Sequence, residues 1–135
     1  MECADSPGRS FVPGGDTVTP AVDESLPVLD PFPLMIIAED AGDAVAQRFI
    51  EEFLDLLPAR VSRVVRCLSS SDLAASRDAV VSLRVTSEMA GALRMEHYCR
   101  QLEEALANRA LPDAAAVLLG MSKTSRLILH EAGRA

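Results

Sequence analysis

Apolar residues recur at helical spacing along most of the chain after residue 33. Val61, Val64, Val65 and Leu68, for example, follow the i, i+3, i+4, i+7 order that places side chains on one face of a helix. This pattern predicts a short turn of helix at 33–39 and then five helical segments. The five segments are expected at about 43–57, 58–68, 72–90, 92–108 and from 114 onward.

Proline, glycine and serine residues separate the predicted segments. Pro58 and Pro112 stand where a helix can begin, Gly91 where one can end, and Ser71 where an N-cap is expected. Short connections between helices of similar length favour antiparallel neighbours. The sequence therefore predicts an all-α fold, an antiparallel up-down four-helix bundle with an N-terminal helical extension.

The first 33 residues differ from the rest in composition. They hold six of the eight prolines, three of the seven glycines and six acidic residues against one arginine. Such a composition buries too little apolar surface to offset the entropy of an ordered chain. We therefore predict a flexible acidic tail rich in Pro and Gly at residues 1–28 and a folded helical domain at residues 29–135.

Charge and composition exclude several classes of partner. The net charge is −7, and residues 34–135 carry twelve basic and fourteen acidic side chains without a cluster of Lys and Arg, so no nucleic-acid partner is expected. The longest apolar run, at 34–38, is too short to span a bilayer, and no signal peptide is predicted. The three cysteines lack metal-ligand spacing, so we expect a cytoplasmic protein with reduced thiols, no metal and no cofactor.

Two of the predicted helices resemble a known family. The run from Val80 to Ser87, the pair Gly91-Ala92 and the run from Cys99 to Glu103 follow, without gaps, a helix pair of histidine phosphotransfer (HPt) domains. The family pattern there is A-H-x-L-K-G-S-S, then G-A, then C-x-x-L-E. The resemblance extends over roughly residues 27–132 and implies the same bundle of helices.

In HPt domains a histidine on the third helix accepts a phosphoryl group from an aspartyl phosphate on a receiver domain. A Lys or Arg follows three residues later, and a Gly that admits the receiver follows four residues later. Here the corresponding positions hold Val81, Arg84 and Val85, and neither His97 nor His130 lies in a matching frame. The resemblance thus implies a degenerate member without the phosphoacceptor histidine, which has no catalytic residue and is not an enzyme.

Helical geometry places Val81, Val85 and Met89 one above another beside the inward-facing stripe of the same helix. We expect an exposed apolar strip that binds a partner, edged by charged side chains. The predicted partner-binding residues are Arg77, Val81, Arg84, Val85, Glu88 and Met89. Two alternatives stay open at this stage: the valines belong to the core, or the N-terminal tail covers them. Adjacent acids such as Glu103 and Glu104 are expected on solvated faces.

Two functions follow from these observations. The first is a pseudo-phosphotransfer module of two-component phosphorelay signalling, which docks a response-regulator receiver domain or a histidine kinase without accepting phosphate. The alternative is a structural helical bundle that has left signalling and forms a homodimer through the strip of Val81 and Val85.

Overall fold

The computed structural model describes residues 20–134, and over that range the chain is all-helical, with five α-helices and no strand. The helices are α1 (Phe32–Ala41), α2 (Asp43–Ser69), α3 (Leu73–Ala90), α4 (Leu93–Ala107) and α5 (Ala114–Glu131). The predicted all-α fold class is therefore confirmed. Within the described range, no helix combines the length and the apolar character that a membrane crossing requires.

The four longer helices contact one another in chain order. Helix α2 packs on α3, α3 on α4, α4 on α5, and α5 returns to α2. In the described part of the chain, α2 makes no contact with α4, and α3 makes none with α5. The shorter α1 lies outside this ring, where it contacts α2 and α3. One shared core fills the space between the four longer helices.

Helix α2 is continuous through Pro58, so the predicted break at that residue is wrong. A proline inside a helix removes one backbone hydrogen bond and costs about 3 kcal/mol. Pro58 lies on the exposed side of α2, whereas Leu57 and Val61 on either side of it are buried. Burial of a stripe that runs through both halves of the helix offsets that cost, because each fully buried aliphatic side chain contributes about 1.5–3 kcal/mol.

The apolar stripes predicted for α3 and α4 are confirmed, and those for α2 and α5 need one change each. Val45 and Leu118, predicted to face inward, are exposed. In both helices the buried position is the adjacent residue, Ala46 and Val117 respectively. Neighbouring residues on a helix point about 100° apart. Val45 and Leu118 therefore lie outside the buried stripe, although each is adjacent to one of its members.

The ends of α3 are set by two residues. Asp72 is the N-cap, and its carboxylate accepts a hydrogen bond of 3.0 Å from the amide of Ala75. The predicted cap, Ser71, instead adopts a left-handed conformation in the preceding turn. Gly91 ends the helix at φ +82°, and its carbonyl accepts a 2.8 Å hydrogen bond from the amide of Asp30. This bond joins the end of α3 to the segment that leads into α1.

Residues 20–30 form an N-terminal strap across α4 and α5, which differs from the predicted tail at residues 1–28. The Arg94 guanidinium donates to the carbonyls of Leu26 and Glu24, at 3.0 and 2.9 Å. The Gln101 side chain pairs with both backbone groups of Ala21. Val28 is only 6% exposed and belongs to the core. Packing therefore begins before residue 29, and residues 1–19 lie outside the described range.

Candidate functional site

The outer face of α3 carries the strip of Val81, Val85 and Met89. Their exposed fractions are 36%, 39% and 44%, respectively. The opposite face of α3 is fully packed, and its buried side chains are Ser76, Ala79, Val80, Leu83, Ser87 and Ala90. Since the core is closed by that inner stripe, the strip faces outward, and the valines do not belong to the core. The alternative that the N-terminal tail covers them involves residues outside the described range.

Arg84 lies beside the strip, and two carboxylates hold its guanidinium. Its Nε donates to the carboxylate of Glu103 on α4, and its Nη1 lies 3.6 Å from Oε1 of Glu88, one turn further along α3. Arg84 and Glu103 are both half-buried, so Glu103, expected on a solvated face, keeps only part of its side chain in solvent. The positive charge of Arg84 is thus offset by its own neighbours.

Arg77 and Glu88 mark the two ends of the strip, and both are exposed. Around Arg77 the surface forms a shallow open depression, which is lined by Ala74, Arg77, Asp78, Val81 and Ser82. The structure therefore brings all six predicted partner-binding residues onto one face of α3, with Arg84 turned toward α4.

Helix α1 presents a second apolar surface that the sequence analysis did not identify. Phe32, Met35 and Ile36 are exposed, and α1 has no buried residue although it is apolar on nearly all sides. A helix of this kind usually lies buried. The signal was available, because these three residues follow the i, i+3, i+4 order of one helical face. It was missed because only a short turn was predicted there.

The remaining candidate groups lie on α4 and α5. His97 is half-buried on α4, and His130 is exposed near the end of α5. Burial raises the pKa of the Cys99 thiol well above its usual range, which disfavours the reactive thiolate. No three His, Cys, Asp or Glu side chains within residues 20–134 are grouped as metal ligands would be.

A second cleft, of about 500 Å³, opens where α1, α2 and the end of α5 meet. Apolar side chains such as Leu34 and Ile50 form part of its wall, and Glu51, Glu131 and Arg134 stand at its edge. Neither histidine and neither described cysteine lines it. Its lining therefore offers no imidazole and no thiol, although it includes the carboxylates of Asp30, Glu51 and Glu131.

Comparison of the chain with protein-family models, with curated proteins and with solved structures found no match.

Proposed function

We propose that this protein is a catalytically inactive, HPt-like module that docks a receiver domain or a histidine kinase through the outer face of α3. The observation that carries the proposal is the exposure of Val81, Val85 and Met89 as one apolar strip. Exposed apolar surface on a monomer commonly marks an interaction site. Docking through this face would modulate phosphorelay signalling by occupancy, in the cytoplasm.

The order of helix contacts supports an HPt-like arrangement. Helices α2 to α5 contact one another in a ring, with short connections between them, as in an antiparallel up-down four-helix bundle. Helix α1 then corresponds to the N-terminal extension. In this arrangement Val81, on the outward side of α3, takes the position of the phosphoacceptor histidine.

Three features of the site support binding without phosphoryl transfer. Valine at position 81 has no lone pair with which to attack phosphorus. Val85 places a branched side chain where the family has glycine. Arg84 is engaged by Glu103 and Glu88, so its charge is offset before any phosphate approaches.

Binding can be tested with purified receiver domains and histidine kinase domains from the source organism, titrated calorimetrically against the full chain. We expect at least one to bind, and Val81→Asp or Val85→Asp to weaken that binding at least tenfold. Leu119→Asp is the matched control, because Leu119 is an exposed apolar residue on α5, 74% accessible and away from the strip. Equal binding by the strip variants and the control would overturn the proposal.

Phosphoryl transfer is tested separately with receiver domains that carry a labelled aspartyl phosphate. We expect no acid-labile phosphate on this chain after mixing. Stable phosphohistidine at His97 or His130 would contradict the proposed inactivity. A permanent dimer in light scattering, unchanged on dilution and lost in Val81→Asp, would instead support the structural alternative.

A further inference from the structure

The charges on the outer face of α3 have a two-fold pattern. Arg77 and Glu88 are eleven residues apart, roughly three helical turns, so they lie on the same side of the helix about 16 Å from each other. The midpoint between Val81 and Val85 along the helix is position 83. The midpoint between Arg77 and Glu88 lies within half a residue of that position. The apolar pair and the charged pair therefore share one centre.

A second copy of α3, packed antiparallel on this face, would match that pattern. The two-fold axis would pass near position 83, perpendicular to the helix and within the contact plane. This rotation reverses the direction of the helix. It leaves unchanged the lateral edge on which a side chain lies, so residues on one edge of the first copy face residues on the same edge of the second. Arg77 of one copy then lies beside Glu88 of the other, and the same pair forms a second time by symmetry. Val81 and Val85 of the two copies meet between these ion pairs.

Arg84 is the residue that could oppose such packing, because it lies close to the proposed axis and would approach its own symmetry copy. In the structure its guanidinium is already paired with Glu103 on α4 and lies near Glu88. The like-charge repulsion that two arginines would otherwise exert across the axis is thereby reduced.

We infer that the outer face of α3 is a self-docking surface whose occupant is a second copy of this chain in antiparallel, two-fold packing. A contact made mainly by one helix from each copy is small, so the association is weak and depends on concentration. The inference rests on the proposed function in one respect: self-docking would compete with a receiver or kinase for the same residues and so regulate that binding.

The test is sedimentation velocity of the full chain from micromolar to millimolar concentration, with exchanged charges. Arg77→Glu places acids at both positions 77 and 88, and Glu88→Arg places bases at both. Like charges would then meet at each end of the contact between two copies of one variant. Each variant alone is therefore expected to self-associate at least tenfold more weakly than the unmodified chain. An equimolar mixture of the two variants should associate about as well as the unmodified protein, because each mixed pair regains opposite charges at both ends. Arg126→Glu on α5 is the control with the same charge change.

Weaker association of each variant, together with recovery in the mixture, supports the antiparallel, two-fold arrangement. In a parallel packing, Arg77 would face Arg77 and Glu88 would face Glu88 already in the unmodified chain, so neither variant would weaken association. The inference is overturned if the unmodified chain stays monomeric at millimolar concentration, or if the mixture associates no better than either variant. Circular dichroism establishes that both variants remain folded, as exposed positions should allow. The calorimetric titrations with receiver and kinase domains are scored independently, so failure of self-docking leaves the proposed partner binding to its own test.

Discussion

Arg84 on α3 and Glu103 on α4 form a side-chain ion pair across the two neighbouring helices. Both side chains are half-buried, so water and salt screen this pair less than they would a fully exposed one. The pair joins α3 to α4 beside the apolar strip. It also offsets the charge of the Arg84 guanidinium.

Under the proposed function, three changes should introduce phosphoryl transfer in successive steps. Val81→His supplies a nucleophile but leaves the branched Val85 in the path of a receiver domain, so we expect little transfer from this change alone. Val81→His with Val85→Gly should transfer more, although the glycine costs about 1 kcal/mol of helix stability. Adding Glu103→Gln should raise the rate again, because it frees the Arg84 guanidinium. Labelled phosphate from a docked receiver domain measures all three, and equal rates for the last two variants would show that Glu103 does not restrain Arg84.

Val80 and Val81 are adjacent valines with opposite surroundings, and their truncations should differ. Val80 has no exposed surface, so Val80→Ala should lower the free energy of unfolding by about 1–3 kcal/mol through lost burial and a cavity. Val81→Ala should change it by no more than about 0.5 kcal/mol, as surface substitutions usually do. Urea denaturation measures both. A similar large loss for both valines would show that the strip is packed in solution.

Gly91 and Gly133 both have positive φ, but only Gly91 is tightly enclosed. A Cβ at Gly91 would lie 2.0 Å from the carbonyl oxygen of Asp30, whereas one at Gly133 would meet no atom within 4 Å. Gly91→Ala should thus cost roughly 3 kcal/mol or more, because backbone must move as well as adopt a strained conformation. Gly133→Ala should cost about 1 kcal/mol from the left-handed conformation alone. Comparable melting temperatures for the two variants would contradict the close approach of residue 30 to the end of α3.

Val28 tests whether the N-terminal strap contributes to stability. Val28→Ala should lower the free energy of unfolding by about 1–3 kcal/mol, because Val28 lies in the core. Val45→Ala on α2 is the control, since Val45 is exposed. Chemical denaturation of both variants would show no difference if residues 20–28 belonged to a flexible tail.

The inward faces of the helices were predictable because periodic apolar residues leave few choices of buried side. Met95, Cys99 and Leu102 on α4 illustrate this, since all three are buried as their spacing predicts. Pro58 was misread because a local rule about proline was applied without the energy of burial on either side of it. That energy depends on the neighbouring helices, which the local sequence does not specify.

The strap and the Arg84 ion pair could not be predicted from local sequence patterns, for a different reason. The composition of residues 20–30 is that of a loop, and their order arises from hydrogen bonds to Arg94 and Gln101, far along the chain. The partner of Arg84 is likewise chosen by the register between α3 and α4. Such long-range contacts between polar groups leave no periodic trace in either segment.

The strap also has a consequence for the order of folding. Its contacts with Arg94, Gln101 and Lys123 close chain loops of 68 to 99 residues, whereas α3 and α4 are joined by a turn of two residues. Short loops close at a lower entropic cost, and local contacts generally form first. We therefore expect the strap, the segment that begins the described chain, to take its native position after α3 and α4 have paired.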